Sequence, residues 1–311
     1  MDHSILTLLG PREWAHSIGK ETSNTSFSVR ALKKDDRIAT VLYPSKYPEK
    51  IWSLLFPLAL TDMVLMNVDR IDKELGETII ALDLANMKDG SYHVSEMVDR
   101  SRFDALIRDT VIEKWKEMDP DPNIVREEIL NIENSWPGGP DAVVIDQAFP
   151  VKGVGTVALG FVMSGTIRKH QELLSYPNEK RTQIRSIQIH DKDHAEAPAG
   201  ARVGLALKNI DPEDLPRGCV LSTGEGGIEK KETLDLDLEI SRFWKEELKE
   251  GANMHLWSSL QFVPVTVEKV TGQKRVRVRP ESPVWSSPAS RFGLAFLDSK
   301  TFRLFAAGET I

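Results

Sequence analysis

Residues 145–165 constrain this chain more than any other stretch. In Ile145-Asp146-Gln147-Ala148-Phe149-Pro150-Val151-Lys152-Gly153-Val154-Gly155-Thr156-Val157-Ala158-Leu159-Gly160, apolar residues alternate along the chain, and glycines recur at Gly153, Gly155, Gly160 and Gly165. Alternation buries one face of a strand and leaves the other to solvent. Glycine inside a strand marks a bulge, a bend or the close approach of another backbone. Short strands punctuated this way read as a small closed barrel.

The β pattern continues downstream. Residues 183–190 alternate, a polar Asp191-Lys192-Asp193-His194 loop follows, and Ala197-Pro198-Ala199-Gly200 turns into a further strand over 202–207. After the linker Gly224-Glu225-Gly226-Gly227, residues 233–240 alternate strictly, with leucines on one face and carboxylates on the other. Residues 260–270, 274–279 and 292–306 are further strand candidates, so a second all-β domain is expected.

Upstream the periodicity changes. Residues 4–9, 37–42, 63–68 and 92–98 read as strands. Residues 50–60, 73–86 and 101–118 read as helices. Pro57 should kink or end the first helix. The second carries Leu75, Thr78, Ile79, Leu82 and Ala85 at helical spacing, and the third Phe103, Leu106, Ile107, Val111 and Trp115. Strands alternating with helices imply a parallel sheet wrapped by helices. The breaker cluster Trp136-Pro137-Gly138-Gly139-Pro140 ends this part. The fold class is multidomain, α/β followed by all-β, with domains over 1–139, 140–226 and 227–311.

A length of 311 residues accommodates two or three domains. A net charge of −7 argues against broad electrostatic binding of nucleic acid, while leaving room for a local basic patch. The single cysteine, Cys219, excludes a disulfide framework and a cysteine-cluster metal site, and reads as a small buried hydrophobe. His190, His194, Asp191 and Asp193 read as a solvated loop, and no metal is expected. No apolar run reaches membrane-spanning length, and no basic stretch precedes a signal-like core at Met1-Asp2-His3-Ser4. A cytoplasmic protein is expected, without membrane or DNA as partner.

The order Asp-x-x-Phe-x-Val-x-Gly-x-Gly-Thr-Val-x-x-Gly-x-Val-x-x-Gly, from Asp146 to Gly165, resembles the opening of the second domain of translational GTPases in the branch of EF-Tu and SelB. Arg185-Ser186-Ile187-Gln188-Ile189-His190-Asp191, Ala197-Pro198-Ala199-Gly200-Ala201-Arg202-Val203-Gly204, Leu207-Lys208-Asn209-Ile210 and Leu215-Pro216-Arg217-Gly218-Cys219-Val220-Leu221 are similar to later blocks of the same domain. Met254-His255-Leu256, Val265-Thr266-Val267 and Arg303-Leu304-Phe305-Ala306-Ala307-Gly308 resemble strands of the third. The resemblance implies a P-loop GTPase-like domain followed by two barrels of the EF-Tu domain 2 and domain 3 types.

The first domain departs from that pattern. A phosphate loop needs glycines to bring backbone N–H groups to the phosphates, a lysine, and a hydroxyl for Mg²⁺. Here the first strand ends at Gly10, and Pro11 removes a donor. Gly19-Lys20 comes late, with Glu21 where the hydroxyl belongs. In place of the family's Asp-x-Pro-Gly-His stands Tyr43-Pro44-Ser45-Lys46-Tyr47-Pro48, and of Asn-Lys-x-Asp only Asp99 remains. Asp99 reads equally as a helix N-cap. Gly10, Gly19, Lys20 and Asp99 therefore mark a degenerate nucleotide site. No catalytic residue and no cofactor is expected, GTP with Mg²⁺ being the alternative that the resemblance leaves open.

By the same resemblance, Asp146, Gln147, Phe149, Gln188, His190 and Asp191 fall where the family holds the aminoacyl end of tRNA. Phe149 has a plain core reading and His190-Asp191 a plain loop reading as well. Arg275, Arg277 and Arg279 share one strand face, suited to RNA phosphate or to protecting a sheet edge. The implied function is a SelB-like factor that binds tRNA or another translation component, such as a ribosome-associated partner, without GTP turnover. A protein-interaction scaffold in translation and a divergent GTP-binding factor are the alternatives.

Overall fold

The computed structural model describes every residue except 1, 62, 133–135, 137 and 273. Of the breaker cluster at 136–140, position 137 thus lies outside the described residues. The chain condenses into two compact units. One comprises Met1–Glu133, Glu239–Glu247 and Gly293–Gly308; the other Asn134–Leu238, Leu248–Phe292 and Glu309–Ile311.

The first unit is built on β1 (Asp2–Leu9), α1 (Arg12–Ser17), β2 (Lys20–Asn24), β3 (Ser28–Lys34), β4 (Arg37–Tyr43), α2 (Trp52–Leu60), β5 (Met63–Val68), α3 (Lys73–Leu84), β6 (Asp89–Val94), α4 (Arg100–Ile107), β7 (Lys116–Glu117) and α5 (Pro122–Asn131). The strand order is β2-β3-β4-β1-β5-β6-β7. From β4 to β7 the strands run parallel, and β2-β3-β4 form an antiparallel meander. From His3 to Leu9, β1 is wholly buried, as a strand covered on both faces must be. On one face Leu6 and Leu8 pack with Trp14, Ala15 and Ile18 around α1 and with Val125 and Ile129 of α5. Helix α2 runs through Pro57 and packs on β1, β4 and α3.

Several features differ from the sequence expectation, among them the strand expected over 292–306, which is two strands, and the one over 92–98, which ends at Val94. The meander strands β2 and β3 and helix α5, started by Asp121-Pro122, are additional elements; β2 is polar throughout, while α5 buries Val125, Ile129 and Leu130 on one face. The helix expected over 101–118 stops at Ile107. Thr110 turns its N–H and hydroxyl back onto the Ile107 carbonyl, at 3.0 and 2.6 Å, and Asp109 takes φ +59°. A short 3-10 turn, Val111–Lys114, then leads into β7. Trp115 leaves the helical stripe to lie against Gly90, where any Cβ would come within 2.5 Å of its ring.

The first barrel contains β8 (Ala142–Val151), β9 (Gly155–Ser164), β10 (Thr166–Arg168), β11 (Glu172–Tyr176), β12 (Lys180–Ile189), β13 (Lys192–His194), β14 (Glu196–Pro198), β15 (Arg202–Lys208) and β16 (Val220–Ser222). The sheet β11-β16-β8-β9-β15-β12-β13 closes on itself through β11–β12. The second barrel follows β17 (Glu229–Lys231), which pairs with β22 (Val284–Ser286). Its wall is β18 (Leu234–Ile240), β19 (Asn253–Ser258), β20 (Gln261–Thr271), β21 (Arg275–Pro280), β23 (Arg291–Ala295) and β24 (Leu304–Thr310), closed in the order β18-β21-β20-β19-β23-β24. Along β18, Leu234, Leu236 and Leu238 face in and the carboxylates face out, as the alternation requires.

Candidate functional site

Strand β8 pairs with β9 through Ile145↔Gly160 and then Gln147↔Leu159, so Asp146 is the extra residue of a β-bulge. The bulge turns Asp146 inward. Its side chain is 1% exposed and accepts from Arg217 Nε at 2.9 Å, and the same nitrogen reaches the Asp146 carbonyl at 3.0 Å. Gln147 Nε2 lies 3.4 Å from the carboxylate. Arg202, on β15, feels the same negative charge; burial pulls its pKa down while Asp146 acts to hold it up. Opposite the bulge, a Cβ on Gly160 would stand 2.6 Å from the Val144 carbonyl, so the sequence glycine here serves a close backbone approach.

Beyond the bulge, register places Gln147, Leu159, Gly204 and Gln188 in one outward-facing row across β8, β9, β15 and β12. Gly204 keeps the middle shallow. Gln147 and Gln188 stand three strand spacings apart, about 14 Å. Phe149 is 37% exposed, so it is not core. Gln188 is exposed and bonds Asp193 at 3.1 Å. His190 and Asp191 form the two-residue turn between β12 and β13, with φ +48° and +61°, the signs a type I′ hairpin needs. The structure thus brings Gln147, Phe149 and Gln188 onto one outer face, puts His190 and Asp191 at the end of a strand of that face, and buries Asp146 beneath it. Arg217 stands out only through the Pro216-Arg217-Gly218 block, which in sequence gives no sign of its partner.

The residues of the degenerate nucleotide site do not converge. Gly10 ends β1 with φ +138°, its Cα pressed so close to Asn67 that a Cβ would sit 2.4 Å from the carbonyl oxygen. Only Gly10 and Pro11 separate β1 from α1. Gly19 and Lys20 follow a helix and open a strand, the reverse of a phosphate-loop context. The carbonyls of His16, Ile18 and Gly19 all point at the buried Arg30 guanidinium, at 2.8, 3.0 and 2.8 Å. A phosphate cradle needs N–H groups to converge; here carbonyls do. Asp99 caps α4, accepting from Arg102 N and Ser101 Oγ, and the Ser101 hydroxyl, ahead of the Arg102 amide, holds its carboxyl below the usual range.

A cavity of about 390 Å³ lies at the carboxyl ends of β1, β4 and β5, where α/β sheets bind ligands. Among the described residues, Glu13, Asp69, Asp72 and Glu74 line it against Arg12 and Arg70, and Arg70 is engaged by Asp72 at 2.6 Å. Such a lining repels a polyanion, so the residues present do not fit a nucleoside triphosphate with Mg²⁺.

Each arginine of β21 faces a carboxylate. Arg275 meets Asp237 at 3.6 Å, Arg277 grips Asp235 with two bonds of 2.8 Å, and Arg279 meets Glu268 at 2.5 Å. The face expected to meet RNA phosphate is a neutral ladder of ion pairs. Cys219 is buried, its thiol pushed up to about 12 by burial.

Residues 155–222 match the family model of Elongation factor Tu domain 2. The chain is 38% identical over 259 residues to an uncharacterized protein of Methanocaldococcus jannaschii, covering 83% of each. It is 33% identical over 123 residues to the selenocysteine-specific elongation factor of that organism, covering 40% of this chain and 26% of the relative. In structure it is similar to translation elongation factor SelB of Methanococcus maripaludis in complex with the GTP analogue GppNHp, with a TM-score of 0.81 and 20% identity over 100% of this chain and 79% of that one. A mixed α/β domain with a parallel sheet, followed by two closed barrels, is the architecture of translation elongation factors of the EF-Tu type. The chain belongs to the EF-Tu/SelB elongation-factor family, on the SelB-like side.

Proposed function

We propose that this protein acts in translation by holding the aminoacylated end of a tRNA on the outer wall of its first barrel, without hydrolysing GTP. The observation that carries the reading is the exposed aromatic face of Phe149 beside a shallow row bounded by the Gln147 and Gln188 amides. An unpaired adenine needs a stacking surface and a few hydrogen-bonding groups at its edge. Lys152 and Arg185 border this face, and Arg185 is held over the β8–β9 hairpin by a 3.0 Å bond to the Val154 carbonyl. They supply positive charge for a phosphate backbone in an otherwise acidic chain.

Action without GTP hydrolysis is supported by the two-residue β1–α1 junction, the carbonyls turned onto Arg30 and the acidic lining of the cavity. Filter binding of charged and uncharged tRNA at physiological salt tests the reading. Binding of charged tRNA should fall on Phe149→Ala by about 1–3 kcal/mol, the worth of one stacked base. Equal, weak binding of both tRNAs, unmoved by Phe149→Ala and Gln188→Ala, would refute it. Titration calorimetry with GTP and Mg²⁺ should give a flat trace; a clear isotherm would favour a divergent GTP-binding factor.

A further inference from the structure

Helix α3, the loop after β4 and the segment before β24 meet at one buried ion pair. Glu77 is 3% exposed at its side chain and Arg303 17%. Both Glu77 oxygens are used. Oε1 accepts from the Arg303 backbone N–H at 2.8 Å and from Nε at 3.1 Å, while Oε2 pairs with Arg303 Nη2. The remaining guanidinium nitrogen, Nη1, donates to the Pro48 carbonyl at 2.9 Å. The Arg303 guanidinium also lies over the Tyr47 ring, 5.9 Å from its centre, and Tyr47 Oη donates to the Glu74 carbonyl at 2.9 Å, with Glu77 Oε2 at 3.3 Å.

Around this pair the surfaces are fitted. Gly76 faces the Phe302 ring so closely that a Cβ would lie 3.1 Å from it, and Lys73 Nζ reaches the Lys300 carbonyl at 3.2 Å. The loop is braced from within by Tyr47 N to Pro44 O at 3.1 Å, Lys50 N to Lys46 O at 2.8 Å and Lys46 N to Ser53 Oγ at 3.0 Å. Tyr47, Pro48, Glu74 and Thr78 also wall the acidic cavity. The cavity wall and the barrel segment are therefore tied through the same few groups.

We infer that Glu77, Arg303 and Tyr47 form a built-in clamp that holds the cavity-side loop and α3 against the 300–305 segment with no bound ligand. Loops at the carboxyl ends of such sheets are ordered in GTPases by phosphate and metal contacts. Here a guanidinium supplied by the chain itself makes the equivalent tie, and the acidic cavity offers a polyanion no competing hold. A buried charge left unpaired is costly, so breaking either partner opens the whole contact rather than one bond. The clamp does not depend on what the first barrel binds.

Hydrogen exchange read by mass spectrometry on the full chain tests it. In the wild type, amides of residues 46–50, 73–80 and 300–305 should be protected, and adding GppNHp with Mg²⁺ should leave them unchanged. Arg303→Ala and Glu77→Gln should each speed exchange at least tenfold in all three segments together, with β8, β9, β12 and β15 unaffected. The double exchange Glu77→Arg with Arg303→Glu should restore part of the protection. Faster exchange confined to residues 300–305 would overturn the clamp, as would wild-type segments that gain protection only when nucleotide is added. Should Arg303→Ala fail to fold, Tyr47→Phe, which removes only the hydroxyl, decides: faster exchange in residues 46–50 and 73–80 supports the clamp, and unchanged exchange there overturns it.

Discussion

The indole N–H of Trp285 donates to the carbonyl oxygen of Gly218 at 2.5 Å, and both groups are buried. Gln261 locks the indole's own backbone, accepting from Trp285 N at 2.9 Å and donating to Trp285 O at 3.0 Å. Gly218 has φ +82°, and a Cβ there would stand 2.6 Å from the Leu260 carbonyl. The closing turn of the first barrel and the β19–β20 turn of the second are thus packed backbone to backbone. Gly218→Ala should cost about 2–4 kcal/mol, from left-handed backbone strain together with overpacking. Trp285→Phe should cost about 1–2 kcal/mol by leaving the Gly218 carbonyl unpaired. Urea midpoints followed by far-ultraviolet circular dichroism measure both, and equal small losses would contradict the assignment.

Asp146 is a structural carboxylate in this geometry. Arg217→Ala should destabilise the chain by about 2–4 kcal/mol, somewhat below a fully buried pair because Arg217 is 31% exposed. Asp146→Ala should lower stability similarly. A double-mutant cycle over Asp146 and Arg217 should return a coupling above about 1 kcal/mol. Loss of ligand binding in Asp146→Ala with unchanged melting would instead put the carboxylate in contact with ligand.

Cys219 should resist alkylation by iodoacetamide in the native protein at neutral pH and react fully in denaturant, which intact mass reads directly. Its folded-state pKa is raised, to about 12, by burial. The thiol contributes most to stability below the unfolded thiol pKa of about 8.5. That contribution falls as pH rises from there towards 12, because the unfolded chain then releases a proton that the folded chain keeps. Cys219→Ser should flatten this alkaline decline.

The β21 ladder should matter little. Arg277 and Asp235 are each about half exposed, so Arg277→Ala should shift stability by less than about 1 kcal/mol. Removing Arg275, Arg277 and Arg279 together should change the salt slope of tRNA binding by well under three charges, since each phosphate contact would first release a carboxylate. A slope lowered by about three would mark the ladder as an RNA surface.

Elements with strong periodicity were legible in the chain alone. The alternation of 233–240 became β18 with the expected inner face, and the apolar 63–68 became β5. The short amphipathic pieces were not. Lys20-Glu21-Thr22-Ser23-Asn24 is polar at every position, yet forms the edge strand β2, where only one neighbour and no core is needed. Val111 and Trp115 continue a helical stripe in sequence, but the helix ends at Ile107, where Asp109 takes a positive φ and the Thr110 hydroxyl bonds back to the Ile107 carbonyl. At the candidate site, Gln147, Phe149 and Gln188 were identifiable by resemblance. That Asp146 lies beneath them follows from a one-residue bulge, and a bulge is decided by pairing register between strands.

By itself the sequence determined the kind of layers and their order, because hydrophobic period and glycine placement are local properties that already specify helix, strand and turn. It also determined that the usual phosphate-binding residues are missing, since Pro11, Glu21 and Tyr43 can be read directly. Only the tertiary structure decided which charged groups meet. Asp146 with Arg217, Glu77 with Arg303 and Arg277 with Asp235 lie 71, 226 and 42 residues apart. The energy of such pairs depends on distance and burial that no local pattern encodes.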